Sequence, residues 1–217
     1  MMEFTEYVKI NTVFKRDRRG KIDETEFATP ELKFLADNTW LWTEKVNGTN
    51  TRISYDGSPE FRGNEHAYVF GRSNGAQLPP ELLRRLVELA KAMPLETVFG
   101  TGPDVAVTLH GEGYGHNIHG GHVYRSDVDF VLFDVQVGGW WLSRENVEDV
   151  ATKLNLDVVP LVGRGTLLEA VEKVRDGFTS DRWENVVAEG LVMRPETELF
   201  SRAGERIVAK IKHKDFR

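Results

Sequence analysis

The chain predicts an antiparallel α+β fold, and three observations carry that expectation. Short apolar or alternating runs recur and are joined by hairpin-scale turns. Helical periodicity is confined to three scattered segments. No repeat, low-complexity tract or linker-like stretch divides the 217 residues. Such a length buries a full core as one domain, and strands in runs with isolated helices argue against a βαβ wind.

Residues 1–29 mix short apolar pieces (Tyr7-Val8-Lys9-Ile10) with a basic turn, Lys15 to Lys21, and predict a strand or two and a loop. Pro30 to Leu35 suggests a short helix with proline in its first turn. Trp40-Leu41-Trp42, the turn around Lys45 to Gly48, and the alternating Thr51 to Tyr55 read as strand, turn, strand. Tyr68 to Gly71 is a further strand, running into Arg72-Ser73-Asn74-Gly75. Pro79 to Met93 is the clearest helix, with Leu82, Leu86, Leu89 and Met93 as its apolar stripe. Val105 to Leu109 is a strand leading into Gly111-Glu112-Gly113-Tyr114-Gly115, and Phe130 to Val135 a buried-looking one. Val147, Val150, Ala151 and Leu154 mark a second helix. Thr166 and Glu169 form a capping box that opens a third. Val186 to Met193 and Ile207 to Lys212 are the last strands.

Composition removes several function classes. No cysteine is present, so disulfides and thiolate metal sites are excluded. No apolar run approaches the ~20 residues a bilayer span needs, and the N-terminus lacks a signal pattern. A cytoplasmic location without membrane association is expected. The net charge of −6 does not fit a polybasic nucleic-acid coat. Its local basic patches, Lys15 to Lys21 and the last sixteen residues, suit a localised phosphate ligand instead.

Chemistry-bearing side chains gather at strand ends: Lys45, Arg72, Glu112, then Phe133 and Glu189 within strands, and Lys210 with Lys212. Alternation puts Lys210 and Lys212 on one face, where two like charges about 7 Å apart are costly unless an anion sits between them. Phosphate is the obvious candidate. An aromatic such as Phe133 can stack on a base, and glutamates can take a ribose hydroxyl or a divalent metal. Taken singly, each has an ordinary alternative: Lys45 a surface lysine, Phe133 a core residue, Arg164 a loop cap. His110, His116, His119 and His122 crowd one loop. Their spacing suits no single helical face, and a polar lip over a ligand fits better than a zinc site.

Together, and in this order, these residues resemble the covalent nucleotidyltransferases, the polynucleotide ligases and mRNA capping enzymes. Lys45-Val46-Asn47-Gly48 is similar to their motif I. The extension Glu44 to Asn50 resembles the RNA ligase 2 branch, which includes a T-even phage nick-sealing ligase and the trypanosome RNA-editing ligases. Arg72 lies in a segment similar to that branch's Arg-x-Gly-x-x-Leu-Pro. Gly111-Glu112 resembles motif III, Phe133-Asp134 motif IIIa, Ala188 to Val192 motif IV, and Lys210-Ile211-Lys212 motif V. Pro160 to Gly165 is similar to the branch between motifs IIIa and IV. There are departures: Asn47 stands where most ligases have Asp and this branch His, Tyr114 adds an aromatic, and Arg194 stands where Lys is common. The chain ends at Arg217, directly after motif V, where many relatives continue into a C-terminal domain.

The resemblance implies a nucleotidyltransferase fold, antiparallel sheets flanked by helices around a central nucleotide pocket. It implies one adenylyltransferase domain over residues 1–217, with 1–29 as an N-terminal extension that contacts substrate. The activity implied is ATP-dependent sealing of nucleic acid, RNA favoured over DNA. Lys45 takes AMP, passes it to a 5′-phosphate, and a 3′-hydroxyl displaces it, a nicked duplex being the expected substrate. Lys210 and Lys212 join Lys45 as catalytic residues. Attack demands a neutral amine, which neighbouring cations favour. Glu44, Val46, Asn50, Arg72, Glu112, Phe133, Glu189, Lys210 and Lys212 are the implied nucleotide contacts. Mg²⁺ (or Mn²⁺) is the implied ion, with Glu189 as its protein ligand. The alternative is a nucleotide- and RNA-binding adenylyltransferase module that seals only with a protein partner supplying the missing domain.

Overall fold

The computed structural model describes residues 4–57, 67–102 and 104–217; the first three residues of the expected N-terminal extension lie outside them. In chain order its first elements are β1 (Asn11–Thr12), β2 (Phe14–Arg16), β3 (Ile22–Phe27), α1 (Pro30–Phe34), β4 (Trp40–Glu44), β5 (Thr49–Tyr55) and β6 (Ala67–Gly71). Then come α2 (Pro80–Ala92), α3 (Leu95–Phe99), β7 (Val107–Gly115), β8 (Val128–Val137), β9 (Trp140–Trp141) and α4 (Arg144–Leu154). The last are β10 (Asp157–Val158), β11 (Leu161–Gly165), α5 (Leu167–Asp176), β12 (Gly190–Pro195) and β13 (Ala209–Lys212). The α+β class is as the sequence predicts. The described residues group into two compact units. One comprises the chain up to Val8 and Asn47–Val158, the other Lys9–Val46 and Val159–Arg217.

In the second unit a five-stranded sheet runs β1-β13-β12-β4-β11. Only the β1–β13 pair is parallel. Strand alternation sorts its residues into two faces. Trp40, Trp42, Leu191, Met193, Ala209 and Ile211 share one face and form a core with Leu32 of α1 and Leu167, Val171 and Val174 of α5. Helix α5 begins where the capping box predicts, Thr166 Oγ1 accepting from the Glu169 N–H and Glu169 reaching back to the Thr166 N–H. The opposite face carries Thr43, Val192, Lys210 and Lys212, paired across the strands in register. The basic turn after β2 is a tied hairpin. Asp17 accepts from the Arg19 and Lys21 N–H groups, and Arg16 pairs with Asp215.

In the first unit a six-stranded sheet runs β10-β8-β7-β5-β6, with β9 against β8. Ile53, Tyr55, Val107, Leu109, Phe130, Leu132 and Val135 line its core face, covered by α2 and α4. The α2 stripe is Leu82, Leu86, Ala90 and Met93, with Leu89 only partly buried. Among the described residues no helix is long and apolar enough to cross a membrane.

Three local expectations change. The strand expected over Val105 to Leu109 runs instead from Val107 to Gly115, so Gly111 to Gly115 lies inside β7. Its glycines answer packing rather than turning: a Cβ at Gly111 would lie 2.3 Å from the Phe130 ring, and one at Gly113 2.5 Å from Leu82. His110 likewise belongs to β7, fully buried, and not to the loop that holds the other three histidines. Glu189 stands just before β12 rather than within a strand.

Candidate active site

Lys45 follows the last residue of β4. Its N–H donates to the Gly190 carbonyl at 2.9 Å, and the Glu44 N–H to the Pro160 carbonyl at 2.9 Å. These bonds extend the ladder past the strand end and fix where the lysine leaves the sheet. Its ammonium donates to Glu189 Oε2 at 2.7 Å, while Lys212 Nζ reaches Oε1 of the same carboxylate at 2.6 Å. Glu189 is anchored from behind, its carbonyl accepting from the His213 N–H at 2.9 Å. The glycine after it is required by close approach. A Cβ at Gly190 would lie 2.1 Å from the Ile211 carbonyl oxygen, so only glycine lets β12 start this near β13.

Lys210 shares the face of Val192 and, by alternation, of Lys212. It makes no ion pair among the described residues, because Lys45 and Lys212 occupy both oxygens of Glu189. Burial depresses its ammonium below the ordinary lysine value, and Lys45, Lys212 and Lys9 push it further down, against Glu189. For Glu189 burial acts upward, but the charges and hydrogen bonds of Lys45 and Lys212 outweigh it and hold the carboxyl below its ordinary value. Three lysines against one carboxylate leave a local charge of about +2, a site built for a multiply charged anion.

Glu44 is placed differently. Register puts it opposite Leu191, on the helix-covered face of its sheet rather than the lysine face. It is 2 % exposed; Oε2 accepts from Ser180 Oγ at 2.6 Å, and Oε1 is buried without a hydrogen-bond partner. Burial raises its pKa, opposed by the Ser180 bond and aided by Asp181. Val46, next to the nucleophile candidate, is buried. Arg164 pairs with Glu196 in solvent.

The first unit holds Asn50, Arg72, Glu112 and Phe133. Asn50 and Glu112 are direct cross-strand partners on the face away from the core, with Arg52 and His110 one pair further along. Asn50 Oδ1 is buried without a hydrogen-bond partner. Phe133 is the extra residue of a β-bulge: His110 pairs with Asp134 and Gly111 with Leu132, so Phe133 has no opposite number. Its ring is only partly buried, outside the core cluster, and lies with Tyr7 on the His110 side of the sheet. Arg72 is exposed just beyond β6. Asn47, the unusual residue of motif I, bonds through its N–H to Tyr124 Oη at 3.1 Å. That ties the motif I turn to the histidine loop. Among the described residues no group of three or more His, Asp or Glu side chains could hold a metal ion.

The sequence assigns no functional role to Tyr7, Arg52 or Ser180. Arg52 belongs to the alternating segment expected over Thr51 to Tyr55, yet it is fully buried. A hydroxyl beside a lone buried glutamate carries no sequence signal, since 136 residues separate Ser180 from Glu44.

Comparison with known proteins follows the same lines. Several structures of an RNA ligase from Naegleria gruberi share the fold. A variant solved with ATP and Mn is 18% identical, covering 98% of this chain and 64% of that one at a TM-score of 0.58. A variant solved with AMP and Mn is 17% identical, covering 95% and 62% at 0.60. The same ligase with PPi is 18% identical, covering 97% and 62% at 0.59. This chain therefore spans less than two-thirds of their length. Comparison with curated proteins finds no match. The RNA ligase family model matches residues 38–212, from the start of the lysine-bearing hairpin to Lys212, and the chain belongs to the RNA ligase family.

Proposed function

We propose that this chain carries out ATP-dependent RNA ligation through a lysyl-AMP at Lys45. The observation that supports this most is the gathering of Lys45, Lys210 and Lys212 about the single carboxylate of Glu189 in a member of the RNA ligase family. Lys45 Nζ gives up its bond to Glu189 and loses a proton to water, then attacks the α-phosphate of ATP. The N–P bond forms as the bond to pyrophosphate breaks. Lys210 and Lys212 take the charge that grows on the phosphate oxygens. AMP then passes to a 5′-phosphate, and a 3′-hydroxyl displaces it as the strand is sealed. Asn50 and Glu112 are the proposed ribose contacts and Phe133 the base platform. Arg72 completes the set, while Glu44, buried on the helix-covered face, and the buried Val46 are proposed to hold the motif I backbone rather than to touch the nucleotide.

The donor set fits a divalent ion that arrives on the nucleotide. Glu189 is kept ionised but is one carboxylate already shared by two ammonium groups. Mg²⁺ or Mn²⁺ held mostly by phosphates and water suits that supply, and it would neutralise phosphate charge when bound. A 5′-phosphate and 3′-hydroxyl at a nick in RNA are the proposed partners of the second and third steps. Incubation with α-labelled ATP and Mg²⁺ should label the chain covalently. Lys45→Ala, folded by circular dichroism, should not be labelled, and undiminished label there overturns the assignment. Sealing of nicked RNA by the purified chain, compared with nicked DNA, tests the remaining steps and the need for a protein partner.

A further inference from the structure

Residues 4–8 cross the polar face of the six-stranded sheet, within its own unit. Over β6 the Phe4 ring lies 5.6 Å from Tyr68 and 6.2 Å from Phe70. Next, the Thr5 carbonyl accepts from Arg52 Nη1 at 2.7 Å, and the Glu6 carboxylate accepts from the Asn74 N–H at 2.8 Å. Over β7 and β8 the Tyr7 ring meets His110 at 5.0 Å and Phe133 at 5.1 Å. Its hydroxyl donates to Asp134 Oδ2 at 2.6 Å, and Tyr7 is 6 % exposed. The segment is thus fastened over the β6 edge at one end and over β7 and β8 at the other.

What it fastens is specific. Phe133 sits in a bulge without a cross-strand neighbour to set its ring plane. Tyr7 supplies that neighbour, at an interplanar angle of 71°. With the rings near-perpendicular, at least one face of Phe133 stays clear of Tyr7, whichever ring presents its edge. At the other end Arg52, fully buried, donates to the Gly71 carbonyl, the Thr5 carbonyl and Asn74 Oδ1. Gly71 and Asn74 bracket Arg72. Burial lowers the Arg52 guanidinium below its ordinary value and Glu6 opposes this, so the strap also supplies a countercharge.

We infer that residues 4–8 are a strap that sets two nucleotide contacts at once, with Tyr7 a positioning residue that holds the Phe133 ring for the adenine base. The inference rests on the nucleotide roles proposed above for Phe133 and Arg72. A stacking platform is effective when its plane is fixed before the base arrives, because less ordering is then lost on binding. Tyr7 touches no reacting atom in this scheme; it acts through Phe133.

The test is self-adenylylation of the full chain by wild type, Tyr7→Phe and Tyr7→Leu, with KM for ATP and kcat measured separately and the active fraction titrated. Tyr7→Leu removes the ring and should raise KM about tenfold with kcat within about twofold, a split expected when binding alone is lost. Tyr7→Phe keeps the ring and loses the Asp134 bond, and should raise KM by a smaller factor of about three. A merely structural tether lowers the active fraction or the melting temperature and leaves KM alone; that result overturns the inference. Should Tyr7→Leu not fold, Tyr7→Phe carries the test, and an unchanged KM there overturns it equally. AMP affinity by calorimetry, measured on the same proteins, separates the two readings. If wild type does not self-label, the ligase reading fails, while weaker AMP binding by the Tyr7 variants still supports the strap and equal binding overturns it.

Discussion

Replacing Glu189 by glutamine tests the electrostatics of the lysine cluster directly. The substitution keeps shape but removes the carboxylate that Lys45 and Lys212 share at 2.7 and 2.6 Å. The side chains of these pairs are 18, 13 and 21 % exposed, between solvent and interior. An exposed pair contributes about 0.5 kcal/mol, and breaking a buried one costs about 3–5 kcal/mol. Glutamine also escapes the cost of burying a charge, so about 2 kcal/mol net is expected. For a chain of this size that lowers the melting temperature by about 4–8 °C. The pH dependence fixes the cause. The folded carboxyl lies below its ordinary value of 4.5. Its contribution is therefore fully present above that value and is lost as pH falls through the folded value. Differential scanning calorimetry of both proteins should show a gap near pH 7 that closes as pH falls below the ordinary carboxyl range. A gap that persists unchanged into acid, or none near neutrality, refutes the reasoning, because neither fits a shared ionised carboxylate.

Other expectations are read by similar assays. Lys210→Met removes the unpaired cation, whose folded pKa is depressed; it should raise stability by about 0.5–1 kcal/mol near neutrality, the gain fading as pH rises toward the lysine range, while self-adenylylation falls at least about a hundredfold. Glu44 is shifted upward by burial, so its stabilising share is present below its ordinary value and is lost as pH rises through the folded one; Glu44→Gln should gain about 1 kcal/mol at pH 7 and nothing in acid, by denaturant titration. Gly190→Ala places a Cβ 2.1 Å from the Ile211 carbonyl oxygen; it should cost about 3 kcal/mol in denaturant melts and lose labelling by shifting Lys212. Thr166→Ala breaks the capping box of α5 and should cost about 1 kcal/mol without changing KM for ATP.

Much of this was legible in the residues. Helix α5 announced itself through Thr166 and Glu169, and the lysine face of β13 through simple alternation. Local signals of that kind need only neighbours in sequence. The glycines around Glu112 misled, because a glycine that yields to Leu82 or Phe130 reads the same as one that turns the chain. The partner of Lys45 and Lys212 was a named residue, but its role as their common counterion was not foreseen. Expecting a bound anion between the lysines overlooked one that the chain supplies from 23 residues before Lys212. Tyr7 and Arg52 escaped because long-range polar contacts within a sheet face leave no periodic trace.

The bulge at Phe133 has a genetic corollary. Ahead of it the even-numbered residues Phe130 and Leu132 point to the core; after it the odd-numbered Val135 takes over, with Val137 packed alongside. One unpaired amino acid thus resets the phase of the strand. An in-frame loss of that single codon would leave Leu132 opposite Gly111 and Asp134 opposite His110, closing the ladder into plain alternation. Asp134 and Gln136 would stay on the polar side and Val135 on the core side. Substitution at Phe133 therefore removes the ring and keeps the bulge, whereas deletion removes both and spares the phase of the strand.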